Sequence, residues 1–181
     1  MKNLFIITIL NLLLLSCTKK ENVFDSFDYS YGDTFSELYS IKFTQSDTVY
    51  VRYHWIGRNI DDTTSVTKEN TNYYGILNSE ERLKLFDYIE KVNLFNYKSE
   101  YFENYSDGSS YGINIKKNSK SKTVFVHSHK APKEIDSISH WIGRIKTNLK
   151  LKEIQKNVNF ESSKGVLPPP PPPPPIKNIN N

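Results

Sequence analysis

The sequence predicts an α+β domain, a two-layer sandwich in which an antiparallel sheet of about five strands carries two helices on one face, in the order βββαββα. Three observations lead there. Short segments in both halves alternate apolar and polar residues with period two, two longer segments repeat apolar residues at three-and-four spacing, and turn-forming residues separate them.

Tyr39, Ile41 and Phe43 alternate with Ser40, Lys42 and Thr44, and Val49, Val51, Tyr53 and Trp55 alternate with Tyr50, Arg52 and His54. Two half-buried strands are expected, joined near Gln45-Ser46-Asp47. The polar run Asn59 to Asn72 suits a loop and Tyr73 to Leu77 a third strand. At Asn78-Ser79-Glu80-Glu81 the period changes: a Ser or Asn cap, acids in the first turn, then Leu83, Leu85, Phe86, Ile89 and Val92 on one broad face predict a helix to about Val92. Asp107-Gly108 marks a turn, and Tyr111, Ile113 and Ile115 alternate as a strand. Asn118-Ser119-Lys120 then turns the chain into a partner strand, Thr123 to His129. Pro132 suits the first turn of a second helix, whose stripe is Ile135, Ile138, Trp141, Ile142, Ile145 and Leu149, with Lys146 outside it.

The ends of the chain have a different character. Lys2 precedes an apolar run from Leu4 to Leu15, about a dozen residues, which suits an export signal and falls short of the roughly twenty that a spanning helix needs. The only cysteine follows at once. Leu14-Leu15-Ser16-Cys17 resembles the lipobox of bacterial lipoproteins, in which cleavage before a diacylated cysteine leaves it as a lipid-bearing N-terminus. The resemblance implies membrane attachment through Cys17, since each buried methylene contributes about 0.8 kcal/mol and two or more chains anchor stably. Thr18 stands where an Asp would retain such proteins at the inner membrane, so the outer membrane is expected. Thr18-Lys19-Lys20-Glu21 matches a surface-export signal only in part, which favours the periplasmic face. At the other end Pro168 to Pro175 form a rod, about 3.1 Å per residue and so about 25 Å long in polyproline II, that acts as a spacer or as a ligand for a proline-binding groove. The expected organisation is a signal peptide at 1–16, a lipidated tether at 17–36, the α+β domain at 37–157 and a disordered tail at 158–181.

The 181 residues suffice for one core, and the formal charge of +4 is too mild, with lysines too dispersed, for a nucleic-acid partner. With no cysteine after Cys17, the domain has neither a disulfide framework nor a thiolate metal site.

The Tyr39-Ser40-Ile41-Lys42-Phe43 strand, the Ser79-initiated helix leading to Leu94-Phe95, Asp107 before Tyr111 to Ile115, Lys122-Thr123-Val124 and Ala131-Pro132 together resemble a family of uncharacterised bacterial domains, often lipid-anchored, over roughly residues 36 to 150. The resemblance implies the α+β fold and brings no activity with it. Members commonly carry cysteines before the first strand, where this chain has Gly32-Asp33-Thr34-Phe35, so a thiol-based role is absent here.

Candidate chemistry is sparse. His127 and His129 lie two apart on a strand, a spacing that binds a transition metal if a third ligand such as His54 or Asp107 converges. Exposed or half-buried surface histidines are the simpler reading, and His140 beside Trp141 suits a satisfied boundary position. Asp61-Asp62, Glu100 and Glu103 supply carboxylates that sequence alone does not bring together. Tyr97, Tyr101, Tyr105 and Tyr111 suit core and edge packing, or a stacking surface for sugar or peptide. Asp62-Thr63-Thr64 resembles a short O-glycosylation acceptor, but Asp47-Thr48-Val49 and Asp136-Ser137-Ile138 match as well. No nucleophile elbow, Gly-rich phosphate loop or H-E-x-x-H helix occurs. The expectation is a lipid-anchored envelope protein with a non-catalytic binding module, an envelope protein as partner, no catalytic residues and no cofactor beyond the lipid on Cys17. Its rivals are a metal-assisted envelope enzyme and a hydrolase inhibitor that presents the Asp61 to Asn72 loop.

Overall fold

The computed structural model describes residues 23–34, 37–56, 68–105 and 108–166. The signal segment and Cys17, Asp61 and Asp62 with the Asp62-Thr63-Thr64 triplet, Asp107 and the proline run lie outside the described residues. Strands β1 (Ser26–Asp33), β2 (Glu37–Phe43), β3 (Thr48–Ile56) and β4 (Asn72–Ile76) precede helix α1 (Ser79–Val92). Strands β5 (Glu100–Phe102), β6 (Ser109–Lys117) and β7 (Lys120–His127) precede helix α2 (Lys133–Asn148), and β8 (Lys152–Glu153) follows it. Short 3-10 helices occupy Leu94–Asn96 and Glu161–Gly165.

The mixed α+β architecture is as expected, but the sheet has eight strands in the order β5-β7-β6-β1-β2-β3-β4-β8. Its pairs are antiparallel except for β5 beside β7. The expected five-strand order omits β1, β5 and β8. Of these β1 matters most: it lies inside the span expected to be a tether, yet pairs with both β2 and β6. Phe27 and Tyr29 are buried in the core, as is Phe24 before the strand.

Local sequence explains the boundaries. The Asn78 side chain accepts from the Glu81 backbone N–H at 2.9 Å and Glu81 accepts from the Asn78 N–H at 2.9 Å, a capping box that starts α1. Left-handed Asn93, at φ 36°, ends it. Asn118 and Ser119 both take positive φ, the two-residue turn whose twist suits the β6–β7 hairpin. Pro132 precedes α2 rather than opening it, and its carbonyl accepts from the backbone N–H of Ile135 and of Asp136.

One face of the sheet carries the core. Phe27, Ile41, Phe43, Val51, Ile113 and Val124 meet Leu85 and Ile89 of α1 and Ile138, Trp141 and Ile142 of α2. The Trp141 ring stacks on Phe43 at 6.2 Å between centroids and meets Tyr88 of α1 at 5.5 Å. Leu83, expected on the same stripe, is 68% exposed, because at about 100° per residue it lies about 200° around the helix from buried Leu85. Leu149 is only half-buried.

The opposite face is covered as well, by the segment after β8, so the expected free tail from residue 158 is also corrected. Val158, Phe160, Ser162 and Val166 are buried there. The strap fits because its floor is small: a Cβ at Gly112 would sit 2.5 Å from the Ser162 carbonyl oxygen. Lys42 Nζ donates to the Asn159 carbonyl and the Asn72 amide to the Lys156 carbonyl, and Arg52 lies over the Phe160 ring.

Two outcomes follow. Trp141→Ala should cost about 3–5 kcal/mol in chemical denaturation, whereas exposed Leu83→Ala should stay within about 0.5 kcal/mol. Gly112→Val should raise hydrogen exchange at residues 158–166 well above that of β6 itself; unchanged protection of the strap would contradict the close fit.

Candidate functional site

A groove of about 800 Å³ opens where α2 crosses the ends of β1, β2 and β6. The strand period of two places Tyr29, Tyr31, Tyr39 and Tyr111 on the helix-bearing face, in register across the three strands. Tyr31 pairs with Tyr39 on one side and Tyr111 on the other. The rings form a contiguous floor, with Tyr29 at 5.9 Å from Tyr111 and 6.1 Å from Tyr39, and Tyr31 at 5.6 Å from Tyr39. The wall is the side of α2 that carries Asp136, Ser139, His140, Gly143, Arg144 and Thr147, positions that recur every three or four residues.

The hydroxyls of the floor are tied to the wall. Tyr111 donates to Asp136 Oδ1 at 2.6 Å, and Tyr29 and Ser139 share a hydrogen bond of 2.7 Å. Burial pushes the phenols of Tyr29, Tyr39 and Tyr111 far up, and at Tyr111 the Asp136 carboxylate pushes the same way. These buried phenols hold their protons more tightly than a free tyrosine does and serve here as neutral hydrogen-bonding groups.

Lys146 is not the solvated residue its place outside the stripe suggested. Only 12% of its side chain is exposed, its ammonium donates to Glu37 Oε1 at 2.5 Å, and it lies over the Tyr39 ring at 4.5 Å and the Tyr53 ring at 5.6 Å. Burial, with Glu37 nearby, raises the Tyr53 phenol to about 12.

The histidines do not gather. Each ring nitrogen of His127 lies near a backbone carbonyl, that of Ser109 at 3.3 Å from Nδ1 and that of Tyr105 at 3.1 Å from Nε2, and a neutral imidazole donates to one of the two. His129 is exposed, and Tyr105 stacks on His127 at 4.0 Å and on His129 at 5.0 Å. Among the described residues no group of three His, Cys, Asp or Glu is placed to hold a metal ion. Glu103 is a clamp: it accepts from Lys130, Ser128 and the His129 backbone N–H, and these bonds lower its carboxyl to about 2. Glu100 is exposed on edge strand β5. His140 is exposed, its Nδ1 bonded to the Asp136 carbonyl at 2.8 Å, and it lines the groove. Of the tyrosines singled out in sequence only Tyr111 lines this groove.

His54 belongs to the other face. Its Nε2 meets Ser40 Oγ at 2.9 Å, Ser40 meets Ser30 at 2.7 Å, and Ser30 meets Ser162 of the strap at 2.8 Å. The Ser162 backbone N–H donates to Asp28 Oδ1 at 2.8 Å, while Asp28 Oδ2 is buried without a hydrogen-bond partner among the described residues. Burial raises the Asp28 carboxyl, and burial together with the Arg52 charge lowers the His54 imidazole to about 4. Folded Asp28 therefore holds its proton more tightly than the unfolded chain does, a contribution to stability present in acid and lost as the pH rises through its folded value. His54 has the opposite sign: its contribution is full above 6.5 and is lost as the pH falls toward about 4.

Asp28→Asn should accordingly melt higher than the parent at neutral pH, with the gap closing on acidification. His54→Gln should remove part of the parent's loss of stability between pH 6.5 and about 4. At the groove, Lys146→Ala leaves Glu37 unpaired in a half-buried place and should cost about 1–3 kcal/mol, between the exposed and fully buried cases. A change at Lys146 within the error of the measurement would show that the pair contributes nothing.

No curated protein and no solved structure matches the chain. A family model does match part of it, from the segment before β4 to near the end of α2, which takes in the groove wall as far as Arg144 and Tyr111 but not Tyr29, Tyr31 or Tyr39. Residues 59–146 are similar to the family model of DUF6438, a domain of unknown function.

Proposed function

We propose that the chain is a lipid-anchored cell-envelope protein whose folded domain is a binding module and catalyses nothing. The observation that carries the binding half is the groove, whose size falls in the usual range for ligand sites and whose floor is a sheet of neutral, hydrogen-bonded tyrosines. Tyrosine there combines apolar area with a polar tip and few rotatable bonds, which suits recognition. Its raised phenols argue against a base or nucleophile.

The anchor half is supported by sequence: a positive residue, an apolar run, small Ser16 and then the one cysteine stand in the order that lipidation requires. Among the described residues no helix is long and apolar enough to cross a membrane. Lipid on Cys17 is therefore proposed as the attachment, at the outer membrane and facing the periplasm. The metal-assisted alternative loses support at His127, which has a backbone carbonyl within 3.3 Å of each ring nitrogen, and at His54, which lies on the opposite face of the sheet.

Cys17→Ser should move the protein from the membrane pellet to the soluble fraction and abolish metabolic labelling by a fatty acid. Unchanged labelling would overturn the anchor.

A further inference from the structure

We infer that the groove takes an acidic saccharide, a carbohydrate whose carboxylate is received by Arg144 while its hydroxyls exchange hydrogen bonds with the groups around the tyrosine floor. The inference rests on the binding reading above and narrows it to one ligand class.

Backbone availability comes first. Strands β1, β2 and β6 beneath the groove are each paired on both sides, so their N–H and C=O groups are spent within the sheet. A peptide cannot join there as an added strand and would forfeit the main-chain ladder that usually gives such complexes their affinity. What remains is side-chain recognition, and here it is rich in hydroxyl partners. Asp136 uses one oxygen for Tyr111 and keeps the other for a ligand hydroxyl, and Ser139, paired to Tyr29, retains hydrogen-bonding capacity. These groups lie one helical turn apart on α2, roughly the separation of hydroxyls across a sugar ring.

Charge selects among saccharides. The Lys146 ammonium is already neutralised by Glu37. Arg144, exposed on the same helix, lines the groove and has no carboxylate partner among the described residues. His140 lies four residues earlier on the same side of α2; with Nδ1 bonded to the Asp136 carbonyl, its Nε2 is left for a ligand. A guanidinium forms two parallel hydrogen bonds with a carboxylate, so an acid at this end of the groove is matched in geometry as well as in sign. Gly143 lies close above the tyrosine floor: a Cβ there would sit in ordinary contact, 3.9 Å from the Tyr39 hydroxyl, so a long side chain at this position would reach into the groove beside Arg144.

Detergent-solubilised full-length protein should be screened on an array of hexuronate and nonulosonate oligosaccharides printed beside their methyl esters and beside neutral glycans. Carboxylate-terminated peptides form a parallel panel, and hits are titrated by calorimetry. Carboxylated glycans should bind at least tenfold more tightly than their esters. Arg144→Ala should erase that difference, and Gly143→Leu, which fills the groove, should abolish binding, both with circular dichroism and melting temperature unchanged. Equal binding of acids and esters, or an Arg144→Ala protein that still discriminates, overturns the acidic-saccharide inference. Binding of neutral glycans or of peptides alone, blocked by Gly143→Leu, also overturns it but keeps the groove as a binding site. No binding of any probe overturns both.

Discussion

The fold depends on one strand being paired twice. Among the described strands, β1 is the one that joins β6, β7 and β5 to β2, β3, β4 and β8 within the sheet, and it does so through antiparallel registers on both edges. With β1 removed, two smaller sheets remain, each with a newly bared edge. The segment matched by the family model contains β4 from one half and β5, β6 and β7 from the other, but none of the strands that connect them. That segment does not form a continuous sheet without residues that precede it.

β1 also explains how much of the fold was legible. β2, β3, β4, β6 and β7 and both helices follow from period and caps, because each buries one apolar face and shows water the other. In β1, Phe27, Tyr29 and Tyr31 do alternate with Asp28, Ser30 and Gly32, but Asp, Ser and Gly are poor strand formers and the stretch resembles a solvated leader. They are small and polar for a reason that only tertiary structure supplies: the strap packs on them. Strand β8 is two residues long and β5 three, too short to leave a period.

The groove was less legible than the fold. Tyr39 and Tyr111 were placed on strands, but nothing in local sequence says that strands separated by about seventy residues in the chain align their tyrosines under one helix. Lys146 shows the same limit. A lysine off the apolar stripe is ordinarily solvated, and here Glu37, from the far side of the chain, draws it over two aromatic rings. Once Tyr29 and Tyr31 are recognised as strand residues, the cluster becomes visible as period-two tyrosines on neighbouring strands.

The strap has a consequence for timing. A chain made from its N-terminus presents β1 before the other described strands, while the residues that cover its second face, up to Val166, arrive after all of those strands have been made. In that interval a partly assembled sheet waits with one face open. Were that face apolar, it would invite association with other nascent chains. It instead carries Asp28, Ser30, Ser40 and Asn114, which water can solvate until the last segment closes over them. The polarity that leaves Asp28 Oδ2 buried without a hydrogen-bond partner among the described residues is thus the same polarity that lets the open face stay hydrated beforehand.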